Sequence, residues 1–105
     1  MLDKAAVREI ATKFAEEVRK VLDAQTIILF GSHVNGIPHE YSDIDIAVVL
    51  NDFEGDWLET ASMLVGLSWD VNGDIEPHLM VEAWGDRSGF LEHIRETGEV
   101  IYEAA

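Results

Sequence analysis

A chain of 105 residues, 48% hydrophobic and 27% charged, is long enough to bury one core, and one domain over residues 1–105 is expected. It has no cysteine, which excludes a disulfide framework and thiolate zinc or iron–sulfur sites. Its formal charge of −14 argues against general binding of DNA or RNA through a basic surface.

The N-terminal Met1-Leu2-Asp3-Lys4 opens a charged amphipathic segment rather than a signal peptide, and no apolar run approaches the roughly 18 residues of a membrane span. A cytoplasmic protein is expected. From Asp3 to Ala24, Val7, Ile10, Ala11, Phe14, Val18, Val21 and Leu22 recur at helical spacing. Asp3 suits the N-cap, and Glu16–Lys20 suits an i,i+4 pair on the solvent face. Gln25 to Phe30, rich in β-branched and aromatic residues, reads as the first strand.

That strand ends in Gly31-Ser32, where glycine lets a backbone approach a phosphate and the serine hydroxyl can donate to its oxygens. The loop 33–42 contains His33, Gly36, Pro38, His39, Glu40 and Ser42, and both histidines are expected to face solvent. Asp43 and Asp45 then open a second strand. At i and i+2 their carboxylates share one face and can converge on one cation, while Ala47 to Leu50 is apolar on both faces, as in a central strand. Close carboxylates repel unless a hard divalent ion such as Mg²⁺ holds them. A Gly-Ser turn or an Asp-x-Asp strand start is common without any such role, so the combination and its spacing carry the weight.

Asn51 to Gly55 is a turn, and Asp56 can cap a helix to about Trp69 with Trp57, Leu58, Ala61, Leu64, Val65 and Leu67–Trp69 as its buried stripe. Asn72-Gly73 marks another turn. In the strand from Asp74 to Val81, Asp74, Glu76, His78 and Met80 share one face. Glu76 is the candidate third metal-binding acid, with Asp74 as the alternative. His78 either orients a carboxylate or is a surface residue. Pro77 removes a ladder donor and so places this strand at an edge or a bulge. A last helix starts at Asp86 or Ser88, turns Phe90, Leu91 and Ile94 inward and stops at Gly98. Glu99 to Glu103 closes the chain as a strand or tail, packed on the sheet or on a second subunit. The order suits a small α/β (α+β) domain with a mixed sheet of about four strands and helices on one face.

Gly31-Ser32, ten residues, then Asp43-x-Asp45 resembles the signature of the DNA polymerase beta superfamily of nucleotidyltransferases, in the short form of the minimal nucleotidyltransferase (MNT) proteins; Gly36 and Ser42 also match that pattern. The resemblance implies that Gly31, Ser32, Gly36 and Ser42 hold the nucleotide phosphates, that Asp43, Asp45 and Glu76 bind Mg²⁺ and perform catalysis, and that ATP is the nucleotide. His33 stands where many relatives of this fold carry arginine. No Lys or Arg lies between Val21 and Asp86, so the phosphate charge must be met by Mg²⁺, amides, Arg87, Arg95 or a basic partner.

MNT proteins resemble the antitoxin half of a pair whose partner is a helical HEPN-type RNase toxin, and some modify a toxin tyrosine with AMP. The implied function is therefore transfer of AMP to a hydroxyl of a partner protein. Two alternatives compete with it: an inactive binding module that neutralises its partner by covering it, and a transferase acting on a small molecule such as an aminoglycoside, whose usual extra domain this chain lacks.

Overall fold

The computed structural model describes residues 3–36 and 42–105. Asp3 caps the first helix as expected: its Oδ1 accepts from the Ala6 amide at 2.8 Å, and α1 runs Lys4–Val21. Val7, Ala11, Phe14, Ala15 and Val18 are its buried stripe, while Val21 is half exposed where the helix ends. Lys20 pairs with Glu17, at 3.1 Å, rather than with Glu16.

β1 (Thr26–Phe30) leads to a one-turn helix α2 (Ser32–Asn35), absent from the sequence reading, and β2 (Ile44–Leu50) follows. The chain then forms α3 (Trp57–Val71), β3 (Ile75–Val81), a 3-10 turn (Glu82–Trp84), α4 (Phe90–Thr97) and β4 (Glu99–Glu103). The four strands make one mixed sheet in the order β3-β2-β1-β4, with β1 antiparallel to both β2 and β4 and β3 parallel to β2. Pro77 is on an edge strand, where its missing N–H costs no ladder bond. The chain end pairs with β1 through β4, and Arg19 lies over the Tyr102 ring at 3.9 Å.

Alternation along the central strands builds two cores. Ile27, Leu29, Ile44, Ile46 and Val48 meet α1 and α3 on one face; Ile28, Phe30, Ala47 and Val49 meet Leu91 and Ile94 of α4 on the other. The expected placement of helices on one face thus holds for the two long ones, and α4 covers part of the opposite face because β1 and β2 are apolar on both sides.

The expected stripe of α3 is largely exposed. Leu64 and Ser68 are buried, but Trp57 is 41%, Leu58 69% and Trp69 70% exposed. The cause is topological: β3 is the sheet edge, and no strand continues beneath the outer half of α3. A groove of about 360 Å³ runs there between Trp57, Leu58 and Val65 on the helix and Pro77 and Met80 on the strand.

Gly98 ends α4, with its amide donating to the Ile94 carbonyl at 2.7 Å. A Cβ there would lie 2.6 Å from Ile28 Cγ2, 2.6 Å from the Ile94 carbonyl oxygen and 2.9 Å from that of Leu29. Two of these neighbours are backbone and cannot rotate away. Gly98→Ala is expected to destabilise the fold by about 1–3 kcal/mol, as overpacking does, read as a lower urea midpoint at unchanged slope.

At the other end of α4, Asp86 accepts from the amides of Leu91 and Glu92, each at 3.0 Å, which holds its carboxyl below the usual range. A carboxylate with a depressed native pKa contributes stability that is complete above its ordinary value, near 3.9, and is lost as pH falls through the lower native value. Asp86→Ala should therefore lower the melting temperature at pH 7, and the gap between variant and parent should close as pH falls through the lowered native value. An unchanged gap at low pH would place the contribution of Asp86 in something other than its charge.

Candidate active site

The site lies where β1 ends and β2 begins, on the α4 face. Gly31 has φ 85° and ψ −154°, a backbone region open to glycine and costly to any residue with a Cβ. It turns the chain from β1 into α2 and sets Ser32 at the first helical position. A Cβ on Gly31 would fall 2.3 Å from Asp45 Oδ2, so the absent side chain is what lets the loop lie against that carboxylate. Gly36 closes the same turn: its amide donates to the Ser32 carbonyl at 3.2 Å, and a Cβ there would be 3.1 Å from Ser32 Cα.

His33, expected in solvent, is 8% exposed, and its Nε2 donates to the Ser42 carbonyl at 3.3 Å. This bond ties the start of the loop to the residue just before Asp43. A histidine next to Gly-Ser carried no sequence signal for it. His39, also expected in solvent, lies outside the described residues, as do Pro38 and Glu40.

Parallel pairing of β2 with β3 supplies the next part. The register sets Asp45 opposite Glu76 and Ala47 opposite His78, so that Asp45, Glu76 and His78 face the same way. One ligand atom from each lies within 4.8 Å of the other two, and His78 Nε2 is 3.2 Å from Asp45 Oδ1. The imidazole packs edge-on against Phe30, ring centres 5.0 Å apart, which fixes its plane. Asp43, exposed one residue before β2, borders the group, its carboxylate near enough to act on that of Glu76. Asp74 is exposed at the turn and stands outside it; its carbonyl accepts from the Ile44 amide and its own amide donates to Asn72 Oδ1, each at 2.8 Å. Of the two candidates for a third acid, the geometry brings Glu76 to Asp45.

The electrostatics follow from this crowding. Desolvation pushes the Glu76 carboxyl above its usual range, Asp45 and Asp43 add to the rise, and His78 opposes it. Two carboxylates and one imidazole, with the Asp43 carboxylate at the border, form a donor set suited to a divalent cation, and a bound cation removes the repulsion the carboxylates otherwise carry. Beside them the Gly31-Ser32 turn offers a hydroxyl and backbone amides to a phosphate.

Residues 12–105 match the family model described as polymerase beta, nucleotidyltransferase. The chain belongs to this nucleotidyltransferase family. Solved structures share the fold. A candidate nucleotidyltransferase from Sulfolobus solfataricus is 18% identical at a TM-score of 0.69, covering 95% of this chain and 83% of that one. The toxin–antitoxin MntA–HpeT, in a mutant with two aspartates replaced by glutamate, is 23% identical at a TM-score of 0.60, covering 90% and 73%. A toxin–antitoxin solved with AMP-PNP is 25% identical at a TM-score of 0.60, covering 92% and 73%. No curated protein matches the chain. The nucleotidyltransferase domain thus has a four-stranded mixed sheet and is similar in structure to toxin–antitoxin proteins. Among its described residues, no helix is long and apolar enough to cross a membrane.

Proposed function

We propose that the protein is a divalent-metal-dependent nucleotidyltransferase that moves AMP from ATP to a hydroxyl of a partner protein, and that it serves as the antitoxin of a HEPN-type RNase toxin. The observation that carries the transferase part is the meeting of Asp45 with Glu76 across β2 and β3, with Asp43 alongside and Gly31-Ser32 adjacent. Support for a nucleotide triphosphate and a toxin partner comes from the similar toxin–antitoxin solved with AMP-PNP.

In this reading Asp43, Asp45 and Glu76 hold the cation, with Mg²⁺ the expected ion, and Ser32 and the amides of its turn hold the phosphates; Gly36 and Ser42 keep that turn in shape. A bound divalent ion supplies charge compensation at the transferring phosphoryl group and at the acceptor oxygen. The acceptor oxygen forms its bond to the α-phosphorus, the α–β phosphoanhydride bond breaks, and pyrophosphate leaves. Glu76 receives the acceptor's proton as general base. The exposed apolar groove beside β3 and the charge of −14 favour a protein acceptor of basic character over a small molecule.

The test is the intact mass of a helical partner encoded beside the gene, after incubation with this protein, ATP and Mg²⁺. A gain of one or more AMP units supports the proposal. A partner that binds tightly while its mass stays constant with every nucleoside triphosphate supports the inhibitory binding module instead.

A further inference from the structure

We propose that His78 Nε2 is itself a ligand of the divalent cation, and that this mixed carboxylate–imidazole set favours first-row transition ions of the Mn²⁺ type over Mg²⁺. The inference rests on the reading of the site as a metal centre and adds to it a ligand and an ion preference. His78 is on β3 two residues beyond Glu76, on the same face, and the β2–β3 register brings it level with Ala47, one step along from Asp45. Its Nε2 is the ring atom directed at Asp45, 3.2 Å from Oδ1. Two donors about 2.1 Å from one ion in neighbouring octahedral positions are about 3 Å apart, so this separation suits a shared cation. The Glu76 carboxylate completes a three-residue face within the same 4.8 Å span.

The ring is held for this purpose from behind. Phe30 packs on its edge, and Phe30 is in turn braced by Phe90 at 5.8 Å. Both partners stay reachable, with side-chain exposures of 28% for His78 and 21% for Asp45. In the bound form the cation would take the place of the Nε2–Oδ1 hydrogen bond, with Nε2 offering its lone pair and the ring proton on Nδ1. Mg²⁺ takes oxygen donors almost exclusively, whereas imidazole binds transition ions well. Mn²⁺ combines that tolerance with the open octahedral sphere that phosphate oxygens require.

The deciding experiment titrates Mn²⁺ and Mg²⁺ separately into the nucleotide-free full chain and records electron spin echo modulation of the bound Mn²⁺. Nitrogen modulation is expected in the parent protein and should vanish in His78→Gln and His78→Ala. Mn²⁺ affinity should fall about tenfold or more in both variants, with Mg²⁺ affinity changed by less than about threefold. Absence of nitrogen modulation in the parent overturns the proposal without any variant. Equal weakening of both ions also overturns it, because that pattern belongs to a residue that only orients Asp45. AMP transfer with Mg²⁺ alone and no nitrogen coupling to Mn²⁺ would sink this inference and leave the transferase standing; nitrogen-coupled Mn²⁺ in a protein that transfers no nucleotide would do the reverse.

Discussion

Conversion of Asp43 and Asp45 together to asparagine is expected to reduce AMP transfer at least about a thousandfold while the fold survives. Charge compensation at a transferring phosphoryl group is worth several kcal/mol, and each 1.4 kcal/mol is a factor of ten in rate, so loss of two anionic ligands reaches that range. Stability should hold or rise. Asp43 and Asp45 both push Glu76 toward its neutral form, and amides in their place relieve that repulsion. Asparagine at 45 also keeps an oxygen for the His78 N–H now bonded to Oδ1. The checks are partner mass, circular dichroism and urea midpoint on the same preparation. Transfer by a well-folded double variant would remove the aspartate pair from the machinery. Capture of the partner by an inactive double variant would show that binding and catalysis use separate surfaces.

Gly31→Ala should be nearly as damaging, for a different reason. The new Cβ would sit 2.3 Å from Asp45 Oδ2, and the carboxylate, as the movable party, must swing away from Glu76 and His78. The backbone there also lies in a region that residues with a Cβ adopt at a cost of about 1–3 kcal/mol. A loss of about a hundredfold or more in transfer is expected, since displacement of a reacting group by about 1 Å costs that much. Gly89→Ala separates the two effects. Gly89 is also left-handed, with φ 73°, but nothing lies within 4 Å of its would-be Cβ, so no site carboxylate has to move. It should cost about 1–2 kcal/mol of stability and leave transfer unchanged. Equal losses of transfer in the two variants would reduce the Gly31 effect to general destabilisation.

Much of this was legible in the residues themselves. The signature spacing from Gly31 to Asp45 marked the stretch that carries the candidate site, Pro77 put β3 at an edge, and Asp3, Asp56 and Gly98 marked helix ends that the structure retains. Asp74 ranks behind Glu76 as nearer the strand start, and the register sets Glu76 opposite Asp45. What escaped the sequence depends on position within the sheet. Apolar spacing in α3 announces a face seeking cover, but only the strand order reveals that the cover ends at β3, leaving Trp57, Leu58 and Trp69 outside. The burial of His33 depends on a loop closing back on Ser42, a contact nine residues away with no periodic signature. Phe90, expected inside, is half exposed because α4 is short and reaches only part of its sheet face.

The parallel pairing of β2 with β3 also makes the candidate site a monitor of correct folding. Glu76 and His78 reach Asp45 only because Ile44 is paired with Ile75, and the connection between those strands runs through the whole of α3. A slip of one residue in that pairing would rotate both side chains to the α1–α3 side and bring Ile75 and Pro77 to the carboxylates. Such a molecule would bury charge, expose isoleucine and lack two of its proposed ligands at once. Changes in the lengths of the turns at 51–56 and 72–74 are therefore selected against twice, once through stability and once through chemistry, so these short surface connections should tolerate insertions and deletions far less than loops of their exposure usually do.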